Sequence, residues 1–283
     1  MCKAIAVNWR IPFARPCKAT IPKMSAVRGS KHNAVLYSQL NDFQQHFGKK
    51  LAFTAEIKQG DKVLDMGCGT GEVTASVAEL VGKQTQVVGV DPDIERIKVA
   101  VQQQSGIHEN ITFVHGDSSS KFPHFNEQYY DVHFSNFVLQ WLNDREKEKF
   151  IDIAFKTLKP GGKIAIVSYE EDPVIVREAG KIVLEDIDNT KEKVQPYFVK
   201  KSVIETLLRR AGFGILHSKY FHNPYTFATA EDFLAFVYCS DYFDDTKISQ
   251  SRKNDWVKTF VNKNGTVTLL DPTIYQIIGK KLD

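Results

Sequence analysis

Residues 62–71 read Lys62-Val63-Leu64-Asp65-Met66-Gly67-Cys68-Gly69-Thr70-Gly71. Positions 62–66 have the short apolar run of a strand covered on both faces. Three glycines at alternate positions follow, and 71–81 then carries apolar residues at helical spacing. Glycine is required where a turn takes positive φ or where backbone must approach a ligand closely. A strand running through such a turn into a helix predicts a ligand site at the strand's carboxyl end.

The same alternation continues outward. Strands are expected at 86–90, 111–114, 130–134 and 163–169, with helices at 94–104 and 144–158. The second of these helices has an acidic first turn (Asp144, Glu146) and Lys156 near its end, the charge order that suits a helix dipole. Lys159-Pro160-Gly161-Gly162 stops it and starts a turn. Alternating strands and helices imply parallel pairing, because parallel neighbours need a long crossover. The expected architecture is an open, doubly wound α/β sheet. Further along, 201–211 reads as a helix closed by Gly212, 215–221 as a strand, 229–238 and 255–260 as helices, and 273–279 as a final strand, the antiparallel one.

Acids stand at three successive strand ends. Asp65 precedes the first glycine by two residues, Asp91 ends the second strand, and Gly116-Asp117-Ser118 follows the third. A carboxylate at Asp65 would repel a dinucleotide pyrophosphate but suits an ammonium or a sulfonium-linked amino acid. Asp91 is placed to accept from a ribose diol, and Asp117-Ser118 to meet an adenine amino group. Taken singly, Asp65 is a turn residue and Asp117 an Asx turn; in register with the strand ends, they fit S-adenosylmethionine (SAM). The spacing is GxGxG rather than GxGxxG, which disfavours an NAD oxidoreductase, and no GxxxxGK[ST] loop is present. The pattern over about 60–170 resembles class I SAM-dependent methyltransferases, which implies a Rossmann-like, mostly parallel seven-stranded sheet.

Two flanking segments narrow the resemblance. Leu36-Tyr37 followed by Asn41-Asp42-Phe43-Gln44, and Phe134-Ser135-Asn136-Phe137-Val138-Leu139-Gln140-Trp141 after the fourth strand, look like the juvenile hormone acid O-methyltransferase family and the related trans-aconitate methyltransferases. The resemblance implies that Gln44 and Trp141 donate hydrogen bonds to a substrate carboxylate. It also implies that Tyr37 lies in a segment closing over the SAM methionine, and Asn136 is taken with the cofactor-binding set. The family's usual His before Trp is Gln140 here, which loosens the link to a juvenile-hormone substrate. A carboxylate, with a reference pKa near ~4, is ionised at neutral pH and needs no general base. Neutral donors can hold it without holding back its charge.

An amine nucleophile would want a base. His115 is the best placed of His115, His124 and His133, and the acidic stretch over 170–188 would suit a cation, so N-methylation of a small amine is the alternative reading. A non-catalytic SAM-binding protein is a third. No HxxxH or His/Cys/carboxylate spacing suggests a metal site.

Of the 283 residues 42% are hydrophobic and 25% charged, and no window reaches the ~18 apolar residues of a membrane span. Four scattered cysteines (Cys2, Cys17, Cys68, Cys239) fit a reducing compartment. The net charge is +3, but 1–31 holds seven basic residues and no acid. The remainder holds 30 basic against 34 acidic residues, a net −4, which does not read as a nucleic-acid binder. The basic start resembles a mitochondrial transit peptide; the plainer reading is a disordered extension or a misassigned start on a cytoplasmic enzyme. Residues 32–283 are expected to form one domain: a SAM-binding core over about 60–170, cap and substrate elements over about 171–272, and the last strand at 273–280. Twelve aromatics fall within the 47 positions 197–243, about a quarter against 11% for the chain. They predict an aromatic-rich helical cap, mostly core, with a minority lining a pocket for a small-molecule substrate. The expected state is a monomer or homodimer.

Overall fold

The computed structural model describes residues 31–104, 106–117, 122–182, 196–222, 224–241, 248–270 and 273–282. Its centre is a seven-stranded sheet. The first four strands are β1 (Val63–Met66), β2 (Val87–Asp91), β3 (Ile111–His115) and β4 (Tyr130–Asn136). The other three are β5 (Leu158–Tyr169), β6 (Phe213–Tyr220) and β9 (Ile274–Lys281), in the spatial order β3-β2-β1-β4-β5-β9-β6. The first five are parallel, and β9 runs antiparallel to both β5 and β6. The chain order reverses between β1 and β4, so the crevice beyond their carboxyl ends is the switch point where open α/β sheets bind ligands.

Side-chain alternation assigns each strand face to a layer. Val63, Val87, Val132, Phe134, Ala165 and Val167 pack with α2 (Asp42–Thr54), α3 (Glu72–Val81), α6 (Val174–Gly180), α8 (Ala230–Asp241) and α9 (Gln250–Phe260). Leu64, Met66, Val88, Val90, Ile164 and Ile166 pack with α5 (Asp144–Thr157) and α7 (Lys201–Arg210). Every residue of β1 and β2 is buried, as the unbroken apolar runs require. α4 (Ile94–Gln104) packs on β2, β3 and α1 (Lys31–Leu40), and α1 also reaches α8.

Several expected features take a different form. The turn expected over 159–162 is an interruption inside a ladder: Tyr130 pairs with Leu158 and Val132 with Lys163, so these four residues bulge out of the pairing, with Gly161 at φ 75°. Helix α5 has an unforeseen capping box, with Asn143 Oδ1 accepting from Glu146 N and the Glu146 carboxylate accepting from Asn143 N. Helices α1, α2 and α6 and the ribbon β7 (Tyr225–Phe227) with β8 (Val267–Leu269) have no counterpart in the sequence reading. Of the cap aromatics, Phe227, Phe233, Phe236 and Tyr238 are core; Tyr197 and Tyr220 are exposed; Tyr242 and Phe243 lie outside the described residues, as does the leader up to position 30. Among the described residues no helix is long and apolar enough to cross a membrane.

The glycine turn is the tightest point of the fold. Gly67 has φ 86°, and a Cβ there would lie 2.1 Å from Val138 Cγ2. At Gly71, φ 89°, a Cβ would lie 2.7 Å from Phe113 Cζ. Gly67→Ala therefore combines left-handed backbone strain with overpacking and should cost about 2–4 kcal/mol. A lowered urea midpoint at unchanged m-value checks this; an unchanged midpoint contradicts it.

Candidate active site

The glycine turn is stitched to the end of β2. Gly67 N and Cys68 N both donate to Val90 O, at 2.7 and 3.1 Å. Gly69 N donates to Asp91 Oδ2 at 2.8 Å, and Asp93 N donates to Asp91 Oδ1 at 2.8 Å. Asp91 is 6% exposed, with each oxygen accepting one backbone N–H and keeping lone-pair capacity for a ligand hydroxyl. Burial raises its pKa, opposed by the Arg96 guanidinium and by the two N–H donors.

Asp65 sits on the same sheet face at the end of β1. It is 2% exposed, and its Oδ2 accepts from Thr74 Oγ1 at 2.6 Å. Burial pushes its pKa up to about 7; the Thr74 hydroxyl pulls it down and the Asp91 charge adds to the rise. Two acids thus share a crevice with no cation bonded to Asp65 itself. Asp117 lies exposed just past β3, and Ser118 lies outside the described residues.

Helices α1 and α2 close the crevice from above. The Tyr37 ring faces Gly69, where a Cβ would meet Tyr37 Cε1 at 3.4 Å, and the Arg96 guanidinium lies 4.0 Å over that ring. Arg96 also donates to Cys239 O of α8 at 3.4 Å. Asn41 bridges to the glycine turn, its Nδ2 donating to Thr70 Oγ1 (3.2 Å) and Glu72 Oε2 (2.7 Å), while Gln45 Nε2 donates to Asn41 Oδ1. Burial raises the Glu72 pKa. Thr70, Glu72, Thr74 and Arg96 had no role in the sequence reading. Thr70, Glu72 and Arg96 depend on how α1 and α2 fold back over the turn, which local pattern does not encode; Thr74 meets Asp65 within the strand–turn–helix unit itself.

Asn136 ends β4 and donates from Nδ2 to Gln44 O at 2.9 Å, placing Gln44 beside the switch point. Among the described residues the Gln44 side chain has one hydrogen bond, a long one of 3.4 Å from Nε2 to Ser240 Oγ. Gln44 Oε1 and Asn136 Oδ1 are both buried without a partner. Trp141 closes a short 3-10 turn, Leu139–Trp141, and is half-buried, with no hydrogen-bond partner for its indole N–H among the described residues. No hydrogen bond or ring contact joins Trp141 to Gln44. Orphaned buried acceptors, an open donor and a cradle of positive-φ glycines fit a site shaped for a polar ligand with an adenosine-like body.

Of the histidines considered as bases, His115 stands beside Asp91 at the end of β3, while His124 stacks on Tyr129 with its Nδ1 2.7 Å from Glu127 Oε2. His133 is fully buried on the α5 face, edge-on to Phe150, with burial lowering its pKa to about 3. His115 is exposed, its Nε2 3.1 Å from Pro92 O. Of the acidic stretch, Glu170 Oε2 accepts from Lys201 N and Tyr220 Oη; positions 183–188 lie outside the described residues.

A family model described as a methyltransferase domain matches residues 57–223. The chain belongs to the class I SAM-dependent methyltransferases. This methyltransferase is 26% identical over 211 residues to the ubiquinone/menaquinone biosynthesis C-methyltransferase UbiE of Vibrio campbellii, covering 67% of this chain and 79% of that one. It is 30% identical over 145 residues to UbiE of Yersinia enterocolitica, covering 49% and 56%, so it spans little more than half the length of that relative. Among solved structures, a putative methyltransferase from Bacillus halodurans superposes with TM-score 0.58 at 18% identity, over 83% of this chain and 99% of that one. The [4+2]-cyclase SpnF does so with TM-score 0.55 at 15% identity, over 84% and 81%. These likenesses show the methyltransferase fold; the cofactor that the family implies is SAM.

The raised Asp65 pKa has a definite linkage. Between the unfolded value near 4 and about 7, folding takes up a proton at Asp65, so its contribution to stability falls as pH rises through that window and is flat above it. Asp65→Asn should remove this slope, making the ligand-free variant less sensitive to pH between 4 and 7 than the wild type. Urea denaturation across that range measures it; parallel pH profiles for the two proteins would contradict the assignment.

Proposed function

We propose that this methyltransferase O-methylates the carboxylate of a small, largely apolar acid, as the juvenile hormone acid and trans-aconitate methyltransferase resemblance implies. SAM supplies, when bound, a methyl group activated by the sulfonium. Gly67, Gly69 and Gly71 make room for it, Asp91 takes the ribose hydroxyls, and Asp65 takes the methionine ammonium. Tyr37 covers the methionine, Asp117 and Ser118 meet the adenine, and Asn136 completes the cradle. Residues 32–283 act as one catalytic unit.

The observation that supports the acid reading is a pair of neutral donors beside β4 that are free or only weakly held. Among the described residues the Trp141 indole N–H has no hydrogen-bond partner, and the Gln44 Nε2 donates one long bond, 3.4 Å, to Ser240 Oγ. The turn 134–142 holds no charged residue. Neutral donors orient a carboxylate without stabilising its charge so strongly that it attacks less readily. Holding nucleophile, methyl and sulfur in line can supply ~7–11 kcal/mol of the barrier. Phe43, Phe47, Phe137, Tyr225, Phe227 and Phe236 form a continuous ring cluster behind Gln44, core packing that fixes α2 against β4, β7 and α8.

C-methylation is the second reading, favoured by the names of the UbiE relatives. A carbon nucleophile gains from a base that removes a proton as it attacks. His46, two residues from Gln44 on α2, has its pKa held below the ordinary value by burial and then by Lys50 and Lys49.

Labelled SAM offered to a panel of apolar acids, tricarboxylic acids, phenols and amines separates the readings by product mass. The expected product is a methyl ester. Trp141→Phe and Gln44→Ala should each lower its formation about tenfold, the worth of one substrate hydrogen bond, with SAM affinity within about twofold of wild type. A ring C-methyl or N-methyl product with untouched acids, or full turnover in both variants, overturns the proposal.

A further inference from the structure

Lys147 occupies a position that opposes a cation on three counts. Its side chain is 1% exposed, and a buried ammonium is tolerated only when hydrogen-bonded. It lies near the N-terminus of α5, where the helix dipole is positive. Its acidic neighbour Asp144 stands 4.0 Å off with a 99% exposed side chain, too far into water to neutralise it. Burial accordingly lowers its pKa. The helix end is already served by the Asn143–Glu146 capping box, so Lys147 is not needed as a cap.

Its Nζ instead donates to two main-chain carbonyls, Leu142 O and Tyr197 O, the latter at 2.7 Å. Leu142 directly follows Trp141. Tyr197, just before α7, donates from its own N–H to Gln140 O at 2.6 Å. Gln140 directly precedes Trp141 and is 5% exposed; its Nε2 donates to Phe137 O at 2.9 Å and its Oε1 accepts from Ser168 Oγ of β5 at 2.8 Å. Both neighbours of Trp141 are thus tied to β5, α5 and the entry to α7, while the indole N–H between them is left open.

We propose that Lys147 is a positioning residue for Trp141: by gathering the Leu142 and Tyr197 carbonyls it locks the 137–142 turn and fixes where the indole N–H meets the substrate. The indole's role in this inference rests on the acid-methylating reading above. The lock itself does not, and it makes the segment entering α7 part of the frame of the substrate site. An apolar residue in place of Lys147 would fill the space but leave both carbonyls without their donor.

The test uses the full chain labelled with 5-fluorotryptophan. Its three tryptophans, Trp9, Trp141 and Trp256, give three fluorine resonances, and Trp141→Phe identifies one of them. Lys147→Met, which keeps the apolar stem, should shift or broaden the Trp141 resonance and leave that of the core residue Trp256 in place. Lys147→Arg, which keeps the donors, should recover much of the wild-type spectrum. Ser168→Ala acts on the same turn through Gln140 and should move the same resonance, so a failure of Lys147→Met to fold does not remove the test. A wild-type Trp141 resonance in folded Lys147→Met, or in Ser168→Ala where Lys147→Met does not fold, overturns the proposal, as does an equal shift at Trp256. If the Trp141 resonance moves while Trp141→Phe still forms methyl ester at the wild-type rate, the lock stands and the donor reading falls.

Discussion

The bond from Gly69 N to the Asp91 carboxylate, 2.8 Å long and buried, joins the two strand ends on which the site is built. It requires a backbone N–H turned toward the end of the neighbouring strand, which the positive-φ glycine turn provides, and it requires an acid at that end. With Val90 O accepting from Gly67 and Cys68, it fixes the turn's shape against β2. The turn in turn sets the start of α3, the place of Tyr37 and the anchorage of Asn41. A carboxylate so placed is costly in a buried crevice unless it is hydrogen-bonded, and the two backbone donors meet that need.

What the chain shows of itself in advance follows from the range of the forces involved. The parallel strands were legible because burial on both faces leaves continuous apolar runs, and Asp65, Gly67, Gly69, Gly71 and Asp91 because a turn of that geometry constrains residue type locally. The bulge at 159–162 was read as a plain turn, since Pro-Gly-Gly signals a break without saying whether the ladder resumes on both sides. Helices α1 and α2 have no counterpart in the sequence reading. Helix α1 is polar on several sides and is held by contacts such as Arg96 to Tyr37, which exist only after the chain folds back, whereas α2 does carry a local signal, Phe43, Phe47 and Leu51 at helical spacing, set among polar residues. Lys147 gave no signal because a lysine in a charged helix start reads as solvated; only its burial shows otherwise.

Fold and chemistry are separable here. The same architecture is shared with a protein described as a [4+2]-cyclase and, in sequence, with C-methyltransferases. The family establishes SAM-dependent methyl transfer, and the substrate reading then rests on particular atoms: an indole N–H without a partner among the described residues, an amide loosely held, and a turn without charge whose Leu142 carbonyl accepts from Lys147. The chemistry of an ionised acid needs little more than alignment.

Asp91 is the group proposed to anchor the cofactor, and the rest of the site is arranged around it. Calorimetric titration of the full chain with SAM, S-adenosylhomocysteine and NADH, repeated on Asp91→Ala, tests it directly. The account predicts that the wild type binds both sulfur nucleosides and not NADH, and that Asp91→Ala loses about tenfold or more in SAM affinity, the worth of one or two hydroxyl hydrogen bonds. Equal SAM affinity in the two proteins, or tighter binding of NADH than of SAM, would contradict it.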